Sequence, residues 1–223
     1  MTVRILLVDD QPLLRRGFAM IIGAEPDLEI AGEAADGAEA IQLARTLTPD
    51  VVLMDIRMPG TDGITATRRI VAEQPAAKVI LLTTFDLDEY AFNGLRAGAS
   101  GFLLKNARTE DLLAGIRTVA AGDAVLAPST TRRLLDTFAS TFEPEPPRAA
   151  MPPDPLSELT QREREVFAAV AAGHTNQEIA ALFTLSATTV KTHVARVLAK
   201  LGLRDRVQVV IFAHDNQLSP PGP

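Results

Sequence analysis

The chain has no cysteine, so a disulfide framework, a thiolate metal site and a cysteine nucleophile are excluded together. It also lacks any apolar run long enough to cross a bilayer. The stretch Ile5 to Val8 is short, and Asp9, Asp10 and Gln11 end it before a signal-peptide core could form. A cytoplasmic protein is therefore expected, with no membrane partner. No internal repeat is visible. What is present excludes disorder throughout, because 47% hydrophobic and 22% charged residues are ordinary proportions for a globular protein with a real core. A length of 223 residues suits two modest domains better than one.

The formal net charge of −6 argues against a nucleic-acid binder only if the chain is treated as one body. Residues 1 to 122 carry 12 Lys and Arg against 17 Asp and Glu. Residues 186 to 206 carry Lys191, Arg196, Lys200, Arg204 and Arg206 against Asp205 alone. Acidity and basicity are segregated, so a local basic surface is free to meet phosphates.

Short apolar runs, Arg4 to Val8, Leu28 to Ala34, Val51 to Asp55, Lys78 to Thr83 and Gly101 to Leu104, alternate with amphipathic segments. Leu112, Leu113, Ile116, Val119 and Ala120, for example, form one helical stripe. Repeated strand-helix units predict an α/β domain over 1–122, with a five-stranded parallel sheet covered on both faces. Residues 123–155 read as a linker. Pro128 to Ser140 could form one short helix, and the proline-dense stretch Glu143 to Pro155 cannot hold a helix or a central strand. An all-α domain is expected over 156–218.

In a doubly wound parallel sheet the carboxyl ends of the strands gather on one edge, where ligands bind. Asp9 and Asp10 follow the first run, Asp55 ends the third, Thr83 ends the fourth and Lys105 follows the fifth. Clustered carboxylates repel one another unless a cation sits among them. A hard divalent ion such as Mg²⁺ suits that need and keeps room for a phosphate oxygen. One carboxylate could then attack phosphorus to form an acyl phosphate, while a lysine and a hydroxyl hold the remaining oxygens. Asp36 and Asp62 read as helix caps or loop residues instead.

The motifs Val8-Asp9-Asp10, Met54-Asp55-Ile56-Arg57-Met58-Pro59-Gly60 with Asp62-Gly63, Thr83, and Gly101-Phe102-Leu103-Leu104-Lys105 resemble the receiver domain of two-component response regulators. The resemblance implies a receiver, flavodoxin-like fold with Asp55 as the phosphoryl acceptor. Mg²⁺ would be bound by Asp10, Asp55 and the main-chain carbonyl of Arg57, with Asp9 acting mainly through water. Thr83 and Lys105 would hold the phosphoryl group, and the Phe102 ring would swing inward as Thr83 moves. Asn106 stands where many receivers have proline. Arg57 and Phe85 flank the centre and would govern entry of the hydrolytic water.

Farther along, Thr160 and Glu163, then Thr175 and Glu178, carry capping-box spacing, so a helix should start at each. Ile179 and Leu182 should face inward on the second. A third helix is expected over Ala187 to Leu201, closed by Gly202, with Val190, Val194, Val197, Leu198 and Leu201 on its core face. Thr192, Ala195, Arg196 and Ala199 lie opposite, flanked by Lys191, His193 and Lys200. Small and basic residues suit a helix that enters a major groove.

Leu159 to Arg206 closely resembles the helix-turn-helix of LuxR-type regulators, through Leu159-Thr160-Gln161-Arg162-Glu163, Asn176-Gln177-Glu178-Ile179-Ala180, Thr189-Val190-Lys191-Thr192-His193-Val194 and Lys200-Leu201-Gly202. By resemblance Lys191, Thr192 and His193 would face the groove, and Asn176, Thr188 and Thr189 would hold the DNA backbone. Arg196 and Lys200 complete the expected DNA-binding set. Arg204 to Ala213 would form a fourth helix used for dimer contact, with His214 near a position where tyrosine is more usual.

Together the resemblances imply a response regulator of the NarL/FixJ type. It would take a phosphoryl group from a sensor histidine kinase, bind double-stranded promoter DNA and act as a homodimer. It would catalyse only its own phosphorylation and dephosphorylation. The expected coupling is release: the unphosphorylated receiver covers the recognition helix or dimer surface. Two other readings stay open. A doubly wound phosphatase with an aspartyl nucleophile would place that nucleophile after the first strand, with an acid two residues on. A pseudo-receiver would control DNA binding without phosphorylation.

Overall fold

The computed structural model describes residues 2–84, 93–122, 125–126 and 154–218. Phe85, the segment Pro128 to Ser140 and most of the proline-dense stretch lie outside the described residues. The chain divides into two compact units, Met1–Thr130 and Thr131–Pro223.

In the first unit β1 (Val3–Val8), β2 (Leu28–Ala34), β3 (Val51–Asp55), β4 (Lys78–Thr83), β5 (Gly101–Leu104) and β6 (Val125–Leu126) form one sheet, ordered β2-β1-β3-β4-β5-β6. Every adjacent pair is parallel. Central strands of such a sheet are apolar on both sides, and Val51 to Met54 and Val79 to Leu82 are buried without a break. Side chains alternate. Ile5, Leu7, Leu53, Ile80, Leu82 and Leu103 join a core with Phe18 and Ile22 of α1 (Pro12–Gly23) and Leu112, Ile116 and Val119 of α4 (Thr109–Ala120). Contacts of α2 (Gly37–Leu47) with β1 and β2, and of α3 (Gly63–Glu73) with β3 and β4, place a second pair of helices on the sheet. Asp36 and Asp62 cap these two helices, Asp36 accepting from the Ala38 and Glu39 amides and Asp62 from the Thr65 amide.

The sixth strand was not expected. It pairs Gly101 with Val125 and Phe102 with Leu126, carrying the sheet past residue 122 into the stretch read as linker. Two residues are too few to show either alternation or an apolar run, so the strand exists only through its neighbour.

The second unit contains α5 (Gln161–Ala171), α6 (Asn176–Phe183), α7 (Ala187–Leu201) and α8 (Arg206–Asp215). Both capping boxes are formed, at Thr160 with Glu163 and at Thr175 with Glu178. Gly202 ends α7 in the left-handed region with φ 65°. Val190, Val194 and Val197 are buried among Val166, Phe167, Val170 and Ile179, with Leu198 and Leu201 packed partly against them. Two sequence expectations are corrected. Leu182 is 61% exposed, because Phe183 supplies the second inward contact of α6 and lies under the Arg162 guanidinium, 4.5 Å from the ring centre. The fourth helix starts at Arg206, because the buried Asp205 carboxylate caps it by accepting from the Val207 and Gln208 amides.

Candidate functional site

Strand order reverses direction between β1 and β3, and the crevice there opens at the carboxyl ends of both strands. Asp9 and Asp10 leave β1 at that point, and Asp55 is the last residue of β3. Carboxylate oxygens of Asp9, Asp10 and Asp55 all lie within 4.8 Å of one another. Lys105 reaches in from the end of β5, its Nζ 2.7 Å from Asp9 Oδ2 and 2.7 Å from Asp55 Oδ2. The register of β4 and β5 delivers it, since the Lys105 amide donates to the Thr83 carbonyl. Thr83 is thus on the same edge. Phe102 is fully buried within β5, opposite Leu81 of β4.

One ammonium therefore serves a group of three carboxylates. Burial would push the Lys105 ammonium down, but the hydrogen bonds and charges of Asp55 and Asp9 outweigh it and hold it above the usual lysine range. Burial, reinforced by neighbouring Asp9, pushes the Asp55 carboxyl up despite Lys105 and the Arg57 amide. The two directions agree physically, since the negative charge of the cluster exceeds the positive charge available to it.

The loops are held by the backbone. Asp9 Oδ1 accepts from the Gln11 amide at 2.8 Å, and Asp55 Oδ1 from the Arg57 amide at 3.3 Å. Gly63 comes so close to the end of β3 that a Cβ there would fall on the Asp55 carbonyl oxygen, and its own amide donates to the Ile56 carbonyl at 2.9 Å. Gly63 thus lets the start of α3 close against the end of β3 beneath Asp55, while Asp62 is the helix cap expected of it. Sequence reasoning passed over Arg15, whose guanidinium bonds the Asp9 carbonyl.

The donor set suits a hard divalent cation. It consists of oxygens alone, it carries excess negative charge, and Asp10 Oδ1 is buried with no hydrogen-bond partner.

In the second unit, Ser186 caps α7 by accepting from the Thr189 amide, and its hydroxyl lies 2.8 Å from that of Thr189. Thr188, Thr189, Lys191, Thr192 and Arg196 are exposed, the Thr192 hydroxyl donating to the Thr188 carbonyl. Asn176, half-buried at the start of α6, accepts from Arg206 at 3.0 Å. His193 differs from its neighbours, being half-buried with Nδ1 enclosed and lacking a hydrogen-bond partner.

Lys200, expected among the DNA-binding residues, also makes contacts within its own unit. Its Nζ lies 2.7 Å from Glu163 Oε2 and 3.1 Å from the Glu158 carbonyl, so it ties the end of α7 to the start of α5. That lysine and the Thr160 amide hold the buried Glu163 carboxyl down at about 2, from an ordinary value of 4.5. A carboxyl depressed on folding contributes stability above its unfolded value and loses it as pH falls through the folded one. The melting temperature of the C-terminal unit, followed by circular dichroism in the full chain, should fall between pH 4.5 and about 2. Glu163→Gln should lower the neutral-pH value and flatten that dependence.

A doubly wound domain with a carboxylate cluster at its switch point, joined to a helix-turn-helix with an exposed basic helix, defines a class: a receiver module that governs a DNA-binding module. Residues 5–117 match the family described as the response regulator receiver domain, and residues 157–213 match the bacterial regulatory proteins of the luxR family. The chain belongs to the two-component response regulators with a LuxR-type DNA-binding domain, and it is a transcription regulator, not a metabolic enzyme. It is 42% identical over 215 residues to the uncharacterized transcriptional regulatory protein YxjL of Bacillus subtilis strain 168, covering 96% of each chain. It is 38% identical to the transcriptional regulatory protein LiaR of the same strain, over 97% of this chain and 99% of that one. Among solved structures, the response regulator ChrA of a heme-sensing two-component system is 33% identical and aligns over 97% of this chain and 98% of its own, with a TM-score of 0.52. Among the described residues no helix is long and apolar enough to cross a membrane.

Proposed function

We propose that Asp55 accepts a phosphoryl group from a sensor histidine kinase, and that this modification controls how α7 and its surroundings bind promoter DNA, with a homodimer as the active form. The convergence of Asp9, Asp10, Asp55 and Lys105 at the switch point carries the reading. Asp10, Asp55 and the Arg57 carbonyl would hold Mg²⁺, with Asp9 acting through water; bound there, it would neutralise charge on the phosphoryl oxygens. An Asp55 carboxylate oxygen attacks phosphorus, the bond to the donor's nitrogen or acyl oxygen breaks, and the donor leaves with the electron pair. Lys105, already in contact with Asp55, exchanges a carboxylate for a phosphoryl oxygen. The Thr83 hydroxyl donates to the new group, and Phe102 follows its movement. Hydrolysis of the acyl phosphate within the same site resets the switch.

Toward DNA, Lys191, Thr192 and Arg196 lie on the exposed side of α7, and Thr188, Thr189 and Asn176 would hold backbone phosphates. His193 would enter the groove from the edge of that face, and Lys200 would reach a phosphate only by leaving Glu163.

The full chain, incubated with Mg²⁺ and acetyl phosphate, should gain the mass of one phosphoryl group. It should then bind duplexes selected from a random pool more tightly than before. Absence of the mass gain removes the acceptor reading, whereas a gain with unchanged DNA affinity removes the coupling alone.

A further inference from the structure

The backbone of Asp9 is held at both of its peptide bonds. The Asp9 amide donates to the Ala34 carbonyl at 3.2 Å, where β2 ends. The Asp9 carbonyl accepts from Arg15 Nη1 at 2.5 Å, and Arg15 Nε lies 3.0 Å from Glu33 Oε2, also at the end of β2. The Arg15 side chain is 18% exposed and its Glu33 partner 41%, so the arginine is largely buried while the far end of the bridge meets solvent. Strand β2 therefore holds Asp9 directly through Ala34 and indirectly through Glu33 and Arg15. Of these bonds, the one from Arg15 acts on the Asp9–Asp10 peptide, and holding that plane restricts where the Asp10 side chain can lie. Asp10 Oδ1 is the buried oxygen without a hydrogen-bond partner.

We infer that Arg15 is a positioning residue for the divalent cation, acting by clamping the Asp9–Asp10 peptide between α1 and the end of β2. The inference rests on the reading that this cluster binds Mg²⁺. Charge and position predict opposite signs. A guanidinium beside an acidic cluster repels a cation, so an Arg15 that acted by charge would, when removed, leave Mg²⁺ bound more tightly. An Arg15 that acts by position would, when removed, let the Asp10 carboxylate wander and leave Mg²⁺ bound more weakly. Glu33 already balances most of the Arg15 charge, which favours position.

Calorimetric titration of Mg²⁺ into the full-length wild type, Arg15→Ala, Arg15→Lys and Arg45→Ala tests this. Arg45 is a control, being paired with Glu73 at 2.6 Å on α2. Arg15→Ala should weaken Mg²⁺ binding by about 10-fold, the usual scale for loss of an outer support of a metal ligand. Arg15→Lys should fall between it and wild type, and Arg45→Ala should match wild type. The Mg²⁺ concentration giving half the acetyl phosphate mass gain should move with the constant, while the gain at saturating Mg²⁺ persists. Unchanged or tighter binding by Arg15→Ala, or equal weakening in Arg45→Ala, overturns the positioning role. If Arg15→Ala does not fold, Arg15→Lys decides: wild-type affinity overturns the role and weaker affinity with an intact melting curve supports it. No binding by wild type overturns the metal reading beneath it.

Discussion

Asp55→Asn is expected to take up no phosphoryl group and yet to melt at a higher temperature than wild type. The first effect follows from chemistry, since an amide is not a nucleophile toward phosphorus under conditions in which a carboxylate is. The second follows from the sign of the Asp55 shift. The residue is 4% exposed and its carboxyl is raised above the ordinary value of 3.8, so the folded state binds that proton more tightly than the unfolded chain does. Such a group favours folding while protonated. The advantage is complete below the unfolded value and is lost as pH rises through the folded one. Asn keeps the shape without the charge. The gap between variant and wild type should therefore be widest near neutral pH without divalent ions and should close toward pH 3.8, as read from melting curves in chelator. An acceptor that is costly to the resting fold is one whose modification can change it. A variant that loses the mass gain and also melts lower at neutral pH would contradict this account of the cluster.

Lys105→Met is expected to act in the opposite direction. The lysine side chain is 5% exposed and bridges two carboxylates that are themselves 0% and 5% exposed. Taking away one partner of a buried ion pair strands the others, a cost of about 3 kcal/mol. Without divalent ions this should lower the melting temperature of the receiver unit by roughly 10 °C. Millimolar Mg²⁺ should restore a larger part of the stability in the variant than it adds to wild type, since a cation then occupies charge that the ammonium had balanced. Equal Mg²⁺ effects on both chains would show that Lys105 is not the counter-ion of the resting cluster.

Much of this was legible in the sequence. Val51 to Asp55, Lys78 to Thr83 and Gly101 to Leu104 coincide with β3 to β5, because a buried parallel strand is a near-continuous apolar run ended by a polar turn, and Leu28 to Ala34 coincides with the more exposed edge strand β2. Helix starts at Thr160 and Thr175 were equally plain, since a capping box is a local reciprocal pair three residues apart. Leu182 was misread because an eight-residue helix turns too few times for periodicity to choose between adjacent apolar residues.

Sequence alone determined which residues stand at the strand ends: Asp9, Asp10, Asp55, Thr83 and Lys105 follow from where each apolar run stops. It also determined the core face of α7, since valines at helical spacing have one way to be buried together. The tertiary structure decided what those residues do to one another. That Lys105 is shared by Asp9 and Asp55, that Arg15 grips the Asp9 carbonyl, and that Lys200 is turned toward Glu163 depend on distances between segments far apart in the chain. Asp55, the proposed acceptor, gains its raised carboxyl from burial and from Asp9 across the sheet edge, and no local pattern encodes either. Local pattern fixes what each segment becomes. Electrostatics and long-range hydrogen bonds act through space, and only the folded chain sets those distances.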